Sequence, residues 1–141
     1  MKTPLQRIEA AIKWYNGIPR DYIDIDGLMI ASNRFACAIF DFSVEVGALY
    51  RAKNAAEFER KRAYMLARAV ALDGQEKPSY SAADALADQA TIKERENEFA
   101  ADSEYVASKL LLDSARDVLD RMNQMLSNLK QEKRLTPQTQ N

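Results

Sequence analysis

Histidine is missing altogether from these 141 residues, and cysteine occurs once. The first absence removes the usual imidazole general base and every histidine-containing metal site. An enzyme built on this chain would have to work with carboxylates, lysine or tyrosine alone. Asp113 and Asp117 share a helical face, but solvated helices carry carboxylates at that spacing routinely. The chain therefore reads as non-enzymatic, with no cofactor. The second absence rules out an intrachain disulfide. Cys37, set in "RFACAIF", reads as a small buried thiol rather than a nucleophile.

Glycine and proline are also scarce, four of each, and apart from Gly47 they fall where helices could begin or stop. Hydrophobic residues make up 47% of the chain and charged residues 29%, a balance that fits a folded helical domain rather than disorder. Long apolar runs are absent. The best candidate, Phe35 to Phe42, is flanked by Arg34 and interrupted by Asp41, so no membrane span is expected. The N-terminus "MKTPLQRIEA" lacks the apolar centre of a secretory signal, which makes the cytoplasm the expected location. Asp21, Asp24 and Asp26 lack the ligand spacing and closing glutamate of a calcium loop. Asp24 or Asp26 is better placed as a helix cap, and no metal is expected.

What is present is helical periodicity. Thr3 and Pro4 open a first helix whose apolar face is Leu5, Ile8, Ile12 and Tyr15, and Asn16–Gly17 closes it. From about Gly27 to Leu72 the chain has no proline. Phe35, Ile39, Phe42, Val46 and Leu49 alternate steps of four and three, the spacing of a helix–helix seam. Onward, that seam meets Lys53, Ala56, Arg60, Ala63, Ala67 and Val70, and thins where cations gather. A helix of about 45 residues is roughly 68 Å long and must pair with another helix or another chain. Gly74 and Pro78 break it, and Ser81 with Asp84 is placed to start a second long stretch, about Ala82 to Leu135, with a kink expected near Thr91. Its apolar rows include Leu112, Val118, Leu119, Met122, Met125, Leu126 and Leu129, a face wide enough for core or oligomer contact. The expected fold is all-α: a short N-terminal helix plus two long helices in an antiparallel, self-associating hairpin. Residues 1–135 form one domain and 136–141 a flexible polar tail.

Charge is not evenly spread. The chain carries 20 basic and 21 acidic groups, yet residues 51–72 hold six basic and two acidic ones. The stretch after the turn is acidic. Lys61 and Arg68 are seven apart and share a face; Arg51 and Arg62 are eleven apart and also align. Two readings stay open. Glu94, Glu96 or Glu98 can neutralise these cations across the hairpin. Alternatively, Arg51, Lys53, Arg60, Lys61, Arg62 and Arg68 track a phosphate backbone, with Tyr64 or Phe58 stacking on bases and Phe58 better suited to packing.

"EFERKRAYMLARAVALDG", followed later by "LLLDSARDVLDRMNQMLSNLK", resembles the UvsY-type phage recombination mediators over roughly residues 45 to 134. The shared features are the Lys61-Arg62 pair, Ala67-Arg68 six residues before a glycine, and Leu111–Asp113 with Leu119–Asp120 in the last helix. The resemblance implies a ring-shaped homo-oligomer that binds single-stranded DNA. Such a protein helps load a RecA-type recombinase onto DNA covered by single-strand-binding protein, in the host cytoplasm if the chain is phage-encoded. Lys61, Arg62 and Arg68 match basic positions of that family, whereas Leu66 stands where it has another basic residue. The C-terminal Leu/Met rows would serve assembly. The alternative is a helical structural or assembly protein, such as a virion component, whose charges only solvate and register its helices.

Overall fold

The computed structural model describes residues 1–77 and 79–136, so Pro78 and nearly all of the expected polar tail lie outside the described residues. The described residues form four α-helices and one short 3-10 turn, with no strand among them. Helix α1 spans Pro4–Gly17. Thr3 caps it as the sequence suggests: its hydroxyl accepts from Gln6 N at 3.2 Å while the Gln6 side chain accepts from Thr3 N at 3.0 Å. This reciprocal pair satisfies two N-terminal donors. The 3-10 turn at Arg20–Tyr22 leads into α2, Ile25–Leu72, which begins two residues earlier than expected. Asp24 is its cap, with its carboxylate accepting from the backbone N–H of Gly27 at 3.2 Å.

Helix α2 is unbroken for 48 residues. Gly47, in its interior, has open space around it: a Cβ there would meet only the Arg51 guanidinium, at 3.8 Å. Its missing side chain therefore costs helix stability without serving a close approach. Gly47→Ala is expected to stabilise the protein by about 0.5–1 kcal/mol, seen as a higher midpoint in urea. A lower midpoint would mean that α2 uses Gly47 as a flexible point. Gly74 is different. It closes α2 with φ at +70°, the left-handed conformation expected of a residue just past a helix end.

The second long stretch is two helices rather than one kinked helix. Helix α3 spans Tyr80–Ala90 and α4 spans Ile92–Leu135. The cap of α3 is Ser79, two residues before the expected Ser81, and its side chain accepts from Ala82 N at 3.3 Å. The break falls at Thr91. This residue is buried, and its hydroxyl returns a 2.8 Å hydrogen bond to Ala87 O. Such a bond competes with the backbone ladder and bends or ends helices.

Rather than gathering on one core, the chain divides into two compact units: residues 1–45 with 109–141, and residues 46–108. The first has a substantial apolar interior. Ile8, Leu28, Phe35, Ala38, Ile39, Phe42, Leu112, Ala115 and Met122 are all buried there. A part-buried polar contact borders it, Ser32 Oγ donating to exposed Asn123 Oδ1 at 2.6 Å. The second unit is thin by comparison: its buried residues are Val46, Ala83, Ala87 and Thr91.

One expectation needs correcting. Cys37 is exposed, not buried, because it lies a step around the helix from the inward positions Phe35 and Ala38. Helix α2 also contains an 18-residue window of mean hydropathy 1.2, long and apolar enough to cross a membrane by composition, although a third (33%) of that window is buried within the fold. It arises because α2 carries apolar side chains outward, such as Phe40 and Val44, as well as inward.

Candidate nucleic-acid interface

The basic segment lies wholly in the second unit, so its environment follows from that unit alone. Along α2 the inward register set by Phe42 and Val46 does not stop at Leu49. Lys53, Ala56, Arg60, Ala63 and Ala67 continue it, and each is half-buried. The seam changes chemistry rather than ending. Lys53 Nζ meets Asp102 Oδ1 of α4 at 3.0 Å, and Arg60 pairs with Glu98 of the same helix. With small alanines between them, two long cations fill the interhelical space with their methylene stems and place their charged heads on α4 carboxylates.

Two clusters with similar chemistry reinforce this arrangement. In one, Lys53 also lies 5.3 Å from the centre of the Tyr105 ring, which in turn packs against Tyr50 at a 5.3 Å centroid distance. In the other, Arg68 Nε donates to Asp84 Oδ1 of α3 at 2.6 Å, and the Tyr64 hydroxyl reaches the same carboxylate oxygen at 3.1 Å. The Arg68 guanidinium lies 5.5 Å from the Tyr80 ring centre. Each cluster thus joins one cation, one aspartate and two tyrosines.

The ionisation of these groups follows. The hydrogen bond from Arg68, assisted by Tyr64, holds the Asp84 carboxyl below its ordinary range, and the same bond raises Arg68. Lys53 is raised chiefly by its hydrogen bond to Asp102. Tyr64 is pushed up, first by desolvation and then by its bond to Asp84. At neutral pH every one of these groups is in the charge state that its partner requires.

Accordingly the seven residues proposed for DNA contact do not make one surface. Lys53, Arg60, Tyr64 and Arg68 face the unit's own helices and carboxylates. Tyr64 is therefore not a free stacking platform. The other three remain outward. Lys61 and Arg62 have side chains 59% and 62% exposed, paired among the described residues only with carboxylates of their own helix: Glu57 at 2.5 Å and Glu59 at 3.8 Å. Glu57 is lowered by the bond from Lys61. Arg51 is exposed and makes no ion pair among the described residues. Phe58 is 64% exposed, so it does not pack in the unit's interior. Residues 46–108 hold nine basic and eleven acidic groups, so the basic stretch is embedded in a unit of net charge −2.

Of the carboxylates anticipated as internal partners, Glu98 takes that role. Asp84 and Asp102 were not anticipated. The available signal for Asp84 was its place early in the helix that follows the Gly74 turn, opposite a cation late in the helix before it. The residues assigned to assembly sit in the first unit. Leu112 and Met122 are buried in its interior, and Val118, Leu119, Met125, Leu126 and Leu129 are half-buried. Among the described residues no group of three or more cysteine, aspartate or glutamate side chains stands close enough to hold a metal ion. In comparisons with known proteins, no family model, no curated protein and no solved structure matches the chain.

Proposed function

We propose that this protein is a non-enzymatic, self-associating helical protein of the cytoplasm, whose oligomer binds single-stranded DNA as a recombination mediator. Self-association is the part the geometry supports most, and one observation carries it. Unit 2 buries little beyond Val46 and two alanines, yet ten of its large apolar side chains stand exposed, among them Phe58, Met65, Leu66, Val70, Ile92 and Phe99. A 63-residue unit with so small an interior needs further burial to be stable, and so many large apolar side chains left in water favour their burial against another chain. The unit is read as an antiparallel helix pair, since partners on α4 fall from Asp102 to Glu98 as α2 rises from Lys53 to Arg60.

The DNA-binding part rests on the family resemblance and on Arg51, Lys61 and Arg62. Ion pairs within one wet helix surface contribute little and are screened by salt, so a phosphate can replace Glu57 or Glu59. A repeated patch in an oligomer multiplies weak contacts along one strand. A RecA-type recombinase and single-strand-binding protein enter as partners through the resemblance alone.

A second reading is favoured by a specific observation. Lys53, Arg60 and Arg68 already hold carboxylates inside a unit of net negative charge. On that reading the protein is a helical scaffold whose charges set the register of its helices, and it makes the smaller demand on the chain.

One titration separates the two. Anisotropy of a labelled single-stranded oligonucleotide is followed at 50 and 200 mM salt, beside light scattering for mass. The mediator reading expects binding that weakens steeply with salt, and a loss of at least tenfold in affinity for the Arg51→Ala, Lys61→Ala, Arg62→Ala triple variant at unchanged mass. An oligomer that ignores the oligonucleotide at both salts leaves the scaffold reading. A monomer defeats the assembly on which both depend.

A further inference from the structure

Unit 1 holds an open groove of about 630 Å³, walled by α1 and the first turns of α2, with Met122 contributing from α4. Its lining combines Trp14, Phe35 and Cys37 with the cations Lys2, Arg7 and Arg34, and it includes no carboxylate. Arg7 is already paired, with Asp41 at 2.5 Å. Lys2 and Arg34 hold no ion pair among the described residues. The remaining wall is largely alanine, so the floor is apolar and close to backbone.

A volume of this size lies within the range of small-molecule sites, which join an apolar lining to a few placed polar groups. The charge at the rim selects among occupants. A neutral apolar body would leave Lys2 and Arg34 unanswered, and an organic cation would be repelled. A simple inorganic anion would leave the aromatic and alanine wall wet. We propose that the groove binds a free amphipathic acid, its apolar body against Trp14 and the alanine wall and its carboxylate toward Arg34 and Lys2. This inference concerns unit 1 and does not depend on the DNA-binding reading.

The chain carries its own reporters. Trp14 is the sole tryptophan and Cys37 the sole thiol, both line the groove, and both are exposed. The experiment titrates the full-length protein with dodecanoate below its micelle concentration. Acetate and dodecyltrimethylammonium serve as controls, and circular dichroism follows helix content. Expected are a saturable change in Trp14 emission and at least tenfold slower alkylation of Cys37 by iodoacetamide with dodecanoate, and neither effect with the controls. Arg34→Gln is expected to weaken dodecanoate binding at least fivefold at unchanged helicity, as is Lys2→Ala, whose site lies ahead of the first helix. An equal response to the cationic surfactant, or a response that tracks helix loss, would overturn the proposal. Shielding of Trp14 and Cys37 that rises with protein concentration alone would also overturn it, because the occupant would then be a second copy of the chain.

Discussion

Replacing Met122 by alanine is expected to destabilise unit 1 by about 2–5 kcal/mol, with the thermal midpoint falling on the order of 10 °C. Met122 is 0% exposed, as are Ile8 and Ala115, in a unit whose other largest buried side chains are Phe35 and Leu28. Alanine there removes the thioether and its methyl group and leaves a void. Neighbouring helices close such a void only in part, and the residual cavity adds to the lost transfer free energy. The measurement is a thermal melt followed by helix signal, with mass determined by light scattering below the transition. Loss of stability at unchanged mass assigns Met122 to the interior. Conversion of an oligomer to a stable monomer would instead return it to the assembly role implied by its position in the C-terminal rows.

That distinction was not available from periodicity. Leu112, Met122 and Leu126 sit on an apolar face that suits a core and an oligomer seam equally well, because both are apolar surfaces removed from water. Only the presence of α1 and the start of α2 in the same unit assigns Leu112 and Met122 to the interior. Elsewhere the sequence was more informative. Thr3 with Pro4, Asp24 as a cap, the Leu72 end of α2 and the Gly74 turn are local devices, set by residues within a few positions of one another. Of the alternation from Phe35 to Leu49, Phe35, Ile39, Phe42 and Val46 are buried and Leu49 is half-buried.

The charges were harder to read, since a cation's position on a helix fixes its face but not its partner. Lys61 and Arg68 share a face by their spacing, yet Lys61 bonds Glu57 on its own helix and Arg68 bonds Asp84 on α3. Lys53 and Arg60 lie in continuation of the apolar seam. Their charge made the seam seem to end, when acidic residues on α4 continue it from the other side. The outward apolar residues of α2 hid a further fact. Phe40, Val44, Phe58 and Met65 lie away from the buried row, so the helix has no single apolar face to find. Cys37 was misplaced for the same reason.

The difference in how the two units are held leads to a second expected result: acid opens residues 46–108 while residues 1–45 and 109–136 stay protected. Unit 1 is held by Phe35, Ile39, Phe42, Leu112 and Met122, none of which titrates. Unit 2 relies on Lys53–Asp102, Arg60–Glu98 and Arg68–Asp84 across its helices. The sign follows from the direction of each shift. Asp84 is depressed in the folded protein, so its contribution is complete above its unfolded pKa and is lost as pH falls through the folded value. Glu57, also depressed, behaves in the same way. Lys53 and Arg68 are raised, so what they contribute is complete below their unfolded values and fades only in strong alkali. The window of loss is therefore acidic, below the ordinary carboxylate range of about pH 4, and stability is flat across neutrality. Hydrogen exchange at pH 7 and in the pH 3 region, each corrected for its intrinsic rate, is the measurement. Amides of α3 and of α2 beyond Val46 are expected to lose protection at least tenfold more than those around Phe35 and Met122. Concentrated sodium chloride at pH 7 should shift the same amides in the same direction by a smaller amount, since these pairs are partly exposed and are screened in part. Equal loss in both units would mean that they unfold together. Loss confined to unit 1 would mean that the ionic seam does not hold unit 2, leaving its exposed apolar face, covered by another chain, as the source of its stability.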